Sequence, residues 1–455
     1  MKLSLREKSS YGIAAVGKDI VYALSSGYVL YYYNVVMGIS ATFIGVILLV
    51  ARVFDAVNDP FMGVIVAKTN SKFGRFRPWL FTGTILNAFV LFALFAVPSS
   101  VQGRSLLVYF AVVYILWGMT YTIMDIPYWS MIPAITDTPK ERENLTVIAR
   151  SCAGVGAAIV QVGTMVLVAR LGGGSSSENY RTGFKWLTLI ICAFFILATV
   201  IAVLNVKERR SENMNTVTVK QMFKSLINND QAIVVVLTIV LVNTALYTIA
   251  NLIIYFFQFD VRGDNWESTL ALFNTFGGAM QILSMMVFYP LIRKLLPTMN
   301  VFKLSLCMTI GGCFLLLVLT LSGLTAVYFL FVPAFFIFSG YGMQSVLTTV
   351  FLADTVDYGE LKNGHREESV IFSMQTFVVK LSSGIAALVA SVGLDLIKLD
   401  PDAAVQSVST VNGLRFMMSV LPIIGVIIAF ILFRRYNLTE TKLKEISDKL
   451  AAKKQ

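Results

Sequence analysis

The chain has 455 residues, of which 56% are hydrophobic and 14% are charged, and its formal net charge is +11. Soluble domains carry about a quarter charged residues, so polar side chains are too scarce here to coat a water-soluble globule, and lipid is the predicted solvent. The basic residues are spread over alternate loops and do not form one patch, which excludes a nucleic-acid-binding protein.

Twelve apolar runs are long enough to cross a bilayer, which requires about 20 residues for each helix. They predict an all-α membrane protein with twelve transmembrane helices. The runs lie near residues 11–36, 41–66, 79–98, 105–131, 145–170, 184–206, 231–258, 268–292, 300–322, 325–353, 369–397 and 413–433.

A polar segment between the sixth and seventh runs divides the chain into two halves. We predict an N-terminal bundle over 1–206, a cytoplasmic middle loop over 207–230, a C-terminal bundle over 231–435 and a cytoplasmic tail over 436–455. The apolar residues of the loop and the tail recur at helical spacing, which indicates short surface helices. Because Lys and Arg collect in the even-numbered connections and at both ends, we expect both termini on the cytoplasmic side of the cell membrane.

Motifs of enzymes are missing from the sequence. Neither H-E-x-x-H, nor G-x-S-x-G, nor a Walker loop occurs, and the four cysteines lie in apolar runs without C-x-x-C spacing. We therefore expect a protein that is not an enzyme and has no cofactor. A carrier without a nucleotide site must draw on an ion gradient.

Charged residues inside the apolar runs are the strongest indication of function. An ionisable side chain at the centre of a bilayer costs at least about 2.5–3.5 kcal/mol on insertion scales, so these residues must face a cavity and one another. Four are cations and four are carboxylates: Lys18, Arg52, Arg150 and Lys380, and Asp19, Asp55, Asp59 and Asp125.

Two of the carboxylates suggest a cation site. Asp55 and Asp59 are four residues apart and project from one helix face, and Asn58 adds an amide oxygen beside them. On another run, Thr122 and Asp125 are three residues apart. Neighbouring carboxylates repel each other unless a small hard cation lies between them or one takes a proton. The alternative is that these carboxylates only form structural ion pairs with the buried cations.

Aromatic residues accompany the charges in the fourth run. Tyr121 and Trp129 are two helical turns apart, with Asp125 between them. Sugar sites combine an aromatic ring with carboxylate, amide and guanidinium groups that bind hydroxyls. Polar partners for such a site are Lys18, Asp19, Arg150, Gln375 and Thr376. The alternative for Trp129 is a packing or membrane-interface role.

Five segments resemble the glycoside–pentoside–hexuronide:cation symporters, a branch of the major facilitator superfamily. They are FDAVNDPFMGVIVAKTNSKFGRFRPW (54–79), WGMTYTIMDIPYWSMIPAIT (117–136), ADTVDYGE (353–360), SYGIAAVGKD (10–19) and SMQTFVVK (373–380). The resemblance implies the major facilitator fold, with two six-helix bundles embedded in membrane lipid. It also implies uptake of a sugar, such as a melibiose-like galactoside or related glycoside, together with Na⁺, Li⁺ or H⁺.

The resemblance also assigns site residues. The implied cation site, which would hold Na⁺ as the coupling ion, consists of Asp55, Asn58, Asp59, Thr122 and Asp125. The implied sugar site consists of Lys18, Asp19, Tyr121, Asp125, Trp129, Arg150, Thr376 and Lys380. With the polar partner Gln375 named above, these are the predicted sugar residues.

This chain departs from the family pattern in the tenth run, where Ser345 and Thr348 replace a sugar-site Trp and a Gln. The alternatives are therefore carriage of another glycoside, a pentoside or a hexuronide, or of a lipid on the same fold.

Overall fold

The computed structural model describes residues 3–69, 71–136, 139–208, 219–263, 265–364, 368–403 and 405–453, and the described chain is almost entirely helical. The chain divides into two compact units, Met1–Thr216 and Val217–Gln455, which we call the first and second units. Six long helices form the first unit: α1 (Leu5–Tyr31), α2 (Ala41–Lys68), α3 (Arg77–Phe95), α4 (Arg104–Ile135), α5 (Pro139–Gly172) and α6 (Ser177–Asn205).

The second unit also contains six long helical segments, together with two shorter surface elements. Its helices are α7 (Val219–Ile227), α8 (Asp230–Phe256), α9 (Trp266–Leu283), α10 (Tyr289–Arg293), α11 (Thr298–Leu321), α12 (Val327–Asn363), α13 (Glu368–Leu396), α14 (Val408–Phe433) and α15 (Glu440–Lys453). A π-helical turn, Ser284–Phe288, joins α9 to α10, so these two helices form one continuous segment. The two predicted surface helices are α7 and α15.

Eleven helical segments of the described chain have the length and apolar composition needed to cross a membrane. The twelfth long helix is α2, whose 28 residues are also long enough to cross but include Arg52, Asp55 and Asp59. The twelve long segments coincide with the twelve predicted runs, and together with the comparisons below they confirm the predicted fold class.

Several helices extend beyond their apolar runs because local capping determines where they start and stop. Ser4 accepts the Glu7 backbone N–H at the start of α1, and the Glu7 side chain accepts the Ser4 backbone N–H in return. The predicted tenth run ended at residue 353, whereas α12 continues to Asn363 and ends at Gly364, which adopts the left-handed conformation that favours glycine. Hydropathy alone therefore placed this boundary too early.

Helix packing within the first unit brings side chains of α1 and α4, which are far apart in sequence, close to each other. In this unit α1 packs against α5 and α6, and α4 packs against α2 and α3.

Inside α4, Pro127 and Pro133 lack the backbone N–H of a regular helix, so the carbonyls one turn before them lose a helical partner. In the second unit α8 packs against α12, α13 and α14, and α12 also packs against α9 and α11.

Candidate functional site

A buried ion cluster in the first unit joins α1 to α4. The Lys18 Nζ atom lies 2.9 Å from Asp19 Oδ2 and 2.8 Å from Asp125 Oδ1. The Lys18 side chain is only 4% exposed, whereas each carboxylate is 22% exposed. Because burying an ammonium group without a partner is costly, the two carboxylates account for the presence of this lysine inside the helix bundle.

Aromatic rings surround this cluster. Trp129 Nε1 donates a hydrogen bond of 3.1 Å to Asp125 Oδ1 from one turn further along α4, and Lys18 Nζ donates one of 3.3 Å to the Tyr121 hydroxyl. The Arg150 guanidinium lies 4.1 Å from the centroid of the Trp129 ring, as a cation–π contact. All six first-unit residues of the implied sugar site therefore come together: Lys18, Asp19, Tyr121, Asp125, Trp129 and Arg150.

A second ion pair lies on α2. Arg52 donates a hydrogen bond of 3.1 Å to Asp55 Oδ2, and both side chains are 6% exposed. The Arg52 guanidinium carbon lies 5.5 Å from the Tyr22 ring centroid and 5.9 Å from that of Trp117. Asp55 thus has a cationic partner. For this carboxylate of the implied cation site, the structure shows the ion pair that the alternative interpretation expected.

Asp59, the other α2 carboxylate, contacts α4. The Thr122 hydroxyl donates a hydrogen bond of 3.0 Å to Asp59 Oδ1, and Thr122 is only 3% exposed. Asn58 is partly exposed on the same helix. Over the described part of the chain, no group of three His, Cys, Asp or Glu side chains is close enough to hold a metal ion.

The remaining predicted sugar residues lie on α13 in the second unit. Gln375 Nε2 donates a hydrogen bond of 3.1 Å to Thr349 Oγ1 of α12. Thr376 is exposed, and Lys380 is partly exposed. The Ser345 and Thr348 hydroxyls both donate to carbonyls of their own helix, those of Gly342 and Gln344.

The aromatic residues around Arg52 were not predicted from the sequence. Tyr114 and Trp117 stack at a centroid distance of 5.6 Å, and Trp117 and Tyr121 stack at 5.5 Å. The spacing of these three residues, at i, i+3 and i+7, was a readable signal of one aromatic helix face. Their proximity to Arg52 was not readable, because it depends on how α2 packs against α4.

In the part of the chain that the structure describes, twelve long helical segments in two units, with charged and aromatic side chains buried inside the first, are typical of a polytopic membrane transporter of the major facilitator fold. It is a transporter and not an enzyme. The chain belongs to the MFS/sugar transport protein family, whose model matches residues 10–440. This finding confirms the resemblance to the glycoside–pentoside–hexuronide:cation symporters.

Similar proteins agree with this assignment. The isoprimeverose transporter of Lactiplantibacillus pentosus is 29% identical over 452 residues, which cover 97% of this chain and 90% of that protein. The inner membrane symporter YicJ of Escherichia coli (strain K12) is 27% identical, with coverage of 99% and 95%. Among solved structures, a bacterial homologue of the human lysosomal transporter Spinster has a TM-score of 0.68 at 13% identity, with coverage of 95% and 96%, and shows the fold alone.

Proposed function

We propose that this protein carries a glycoside across the cell membrane together with Na⁺, by alternating access, and that a melibiose-like galactoside is the first candidate substrate. One observation carries the proposal. A single helix, α4, presents Asp125 and Trp129 to the Lys18 cluster and, one turn earlier, presents Thr122 to Asp59. A sugar-type site and a cation-type site therefore share one helix.

The proposed sugar site lies around Trp129. Asp125 and Arg150 both contact this side chain, so a pyranose ring packed beside the indole would have a carboxylate and a guanidinium within reach of its hydroxyls. Asp19 and Lys18 complete the set in the first unit. Gln375, Thr376 and Lys380 are the proposed sugar residues of the second unit. Similarity to the isoprimeverose transporter supports an oligosaccharide-type substrate.

The proposed cation ligands are Asp55, Asn58, Asp59 and Thr122, with Asp125 as the residue common to both ligands. Of the charged residues identified above in the apolar runs, the first unit holds three cations (Lys18, Arg52 and Arg150) and four carboxylates (Asp19, Asp55, Asp59 and Asp125), so these seven side chains carry one net negative charge. A monovalent cation neutralises that charge. Na⁺ is preferred over H⁺ in this proposal because the amide and the hydroxyl suit a metal ion, which binds several oxygens, and a proton needs only one carboxylate.

The proposed orientation places both termini in the cytoplasm. It is supported by the basic residues at and between the facing ends of α2 and α3, which are Lys68, Lys72, Arg75 and Arg77, because cytoplasmic connections generally carry an excess of Lys and Arg. Similarity to the inner membrane symporter YicJ supports a location in the cytoplasmic membrane.

The test is uptake of radiolabelled sugar into liposomes that contain the purified protein. A panel of galactosides, a pentoside and a hexuronide is offered with Na⁺ raised outside, with the pH lowered outside, and with both ions equal on the two sides. We expect uptake of a galactoside to accelerate with the inward Na⁺ gradient. Equal rates under all three conditions would overturn coupled transport. Na⁺-driven uptake of the pentoside or the hexuronide alone would keep the coupling and replace the substrate.

A further inference from the structure

A seam of side chains joins the two helices of the first unit that carry the buried ion cluster, α1 and α4. Three contacts cross the seam, and each pairs one residue of α1 with one residue of α4: Tyr11 with Tyr128, Lys18 with Tyr121, and Tyr22 with Trp117. Each step along α1, of seven and then four residues, is matched by an equal step backwards along α4. Steps of four and seven residues keep side chains on one helix face. The two helices therefore run antiparallel along the seam, in one register.

The contact between Tyr11 and Tyr128 is closed from both sides. The two rings stack at a centroid distance of 4.4 Å and an interplanar angle of 13°. The Tyr11 hydroxyl donates to the backbone carbonyl of Tyr128, and the Tyr128 hydroxyl donates to the backbone carbonyl of Tyr11 at 2.9 Å. A carbonyl oxygen has two lone pairs, so each can accept this bond in addition to the bond within its own helix. We call these two residues the tyrosine clasp.

The clasp fixes the helices themselves. Its hydrogen bonds end on backbone atoms, whereas Lys18 reaches across the seam on a flexible four-carbon stem that can follow a shift of the helix. A shift of α1 by the rise of one residue, about 1.5 Å, would strain both reciprocal bonds of the clasp at once. Tyr11 and Tyr128 have no exposed surface, so they hold the register without contacting a ligand.

The clasp also supports the side chains of the proposed sugar site. Lys18 Nζ lies 5.6 Å from the centroid of the Tyr128 ring, and the Trp129 ring meets the same ring edge to face at 5.2 Å. Tyr11 stacks on that ring from α1. Tyr11 therefore acts on the proposed sugar residues through Tyr128.

Close backbone packing joins α1 and α4 to other helices. A Cβ atom at Gly156 of α5 would lie 2.6 Å from the Val16 carbonyl oxygen of α1, and one at Gly83 of α3 would lie 2.8 Å from the Met124 backbone nitrogen of α4. These helix pairs have little room to shift, because interiors are close-packed. The seam between α1 and α4, in contrast, depends on side chains, and the clasp is its contact to the backbone of both helices.

We propose that Tyr11 and Tyr128 are positioning residues that hold α1 and α4 in the register required for sugar binding. The proposal rests on the proposed function and adds two residues that contact neither ligand. Without the clasp, the first unit would occupy other registers for part of the time, and sugar would bind only the fraction in the correct one. In the proposed coupling, Na⁺ and sugar favour the same position of α4, so bound Na⁺ restores part of that fraction.

The test is equilibrium binding of melibiose, or of the glycoside that replaces it in the uptake panel, to the purified full-length protein without Na⁺ and with saturating Na⁺. Tyr11→Phe and Tyr128→Phe each remove one hydroxyl and keep the ring. We expect each to weaken Na⁺-free binding by about 3- to 10-fold, as for the loss of one hydrogen bond. With saturating Na⁺ the loss should be less than about 2-fold. The factor by which Na⁺ raises the sugar affinity should therefore increase in both variants.

Tyr28→Phe is the matched control. Tyr28 is also a buried tyrosine of α1, 4% exposed, and its hydroxyl donates to the Val160 carbonyl of α5 at 3.3 Å. It lies outside the seam, so its replacement should leave the Na⁺ factor unchanged.

The outcomes separate this inference from the proposed function. Unchanged binding in the clasp variants, an equal loss with and without Na⁺, or a smaller Na⁺ factor would overturn the role of the clasp and leave the proposed function standing. Failure of the wild type to bind any glycoside of the uptake panel, or to respond to Na⁺, would overturn the proposed function and this inference with it.

Discussion

Replacing Thr122 tests the proposed cation site most directly. Its hydroxyl is buried, donates to Asp59 at 3.0 Å and belongs to the helix that carries Asp125. If Na⁺ binds between α2 and α4, the hydroxyl oxygen is one of its neutral ligands. A proton on Asp59 does not require that ligand. Thr122→Ala should therefore weaken the use of Na⁺ more than the use of H⁺.

The expected magnitude follows from the loss of one neutral ligand in a buried site. A hydrogen-bond-scale interaction contributes about 1–1.5 kcal/mol, and this corresponds to a roughly 5- to 12-fold weaker apparent affinity for Na⁺. The assay is sugar binding at fixed pH over a Na⁺ titration, followed by uptake driven by a pH gradient. Thr122→Ser keeps the hydroxyl and should restore most of the Na⁺ response.

Thr164→Val is the matched control. Thr164 is also buried, but its hydroxyl donates to the Val160 carbonyl of its own helix α5, and its replacement should leave the titration unchanged. Superimposable Na⁺ titrations for Thr122→Ala and the wild type would refute the reasoning. Thr122 would then be a packing hydroxyl, and the preference for Na⁺ would lose its main structural support.

Three further predictions concern the carboxylates and their surroundings. Asp19→Ala should weaken sugar binding by about 10- to 100-fold, as expected for a hydrogen-bonding carboxylate, and leave Na⁺ binding intact; unchanged sugar affinity would remove Asp19 from the site. Asp59→Cys should abolish Na⁺ stimulation while some sugar binding remains, as measured by sugar binding with and without Na⁺; a full Na⁺ response would contradict this. Gly118→Ala would place a methyl group 2.8 Å from Asp55 Oδ1, so it should weaken Na⁺ stimulation; Gly154→Ala, which meets nothing within 4 Å, is the control, and equal Na⁺ titrations for the two variants would count against Asp55.

Sequence patterns predicted the number and approximate positions of the long helices because lipid demands long apolar runs. They did not predict the helix ends. The 37 residues of α12 span about 55 Å, far more than the roughly 30 Å of a bilayer core. The polar residues 354–363 continue the helix until Gly364 ends it. Hydropathy reports the thickness of the apolar layer, whereas the hydrogen-bonding and capping groups determine the length of the helix.

Contacts within one helix were predictable, and contacts between helices were not. The four-residue spacing of Asp125 and Trp129 on α4 correctly placed these side chains on the same face, where they hydrogen-bond. No spacing rule joins Lys18 to Asp125, which are 107 residues apart, and only the packing of the helices of the first unit brings them within 2.8 Å. Likewise, the pattern of α2 offered Asp55 and Asp59 as equals, but the structure gives Asp55 a guanidinium partner and Asp59 a hydroxyl partner.

The positions of Thr122 and Asp125 on α4 suggest how the proposed coupling operates. Thr122 and Asp125 are three residues apart, so a rotation or shift of α4 that improves one ligand's contacts also moves the other's. The two ligands need not touch each other for their affinities to be linked, because each favours the same position of α4. Linkage is reciprocal for equilibrium binding: any factor by which Na⁺ raises the sugar affinity must equal the factor by which the sugar raises the Na⁺ affinity.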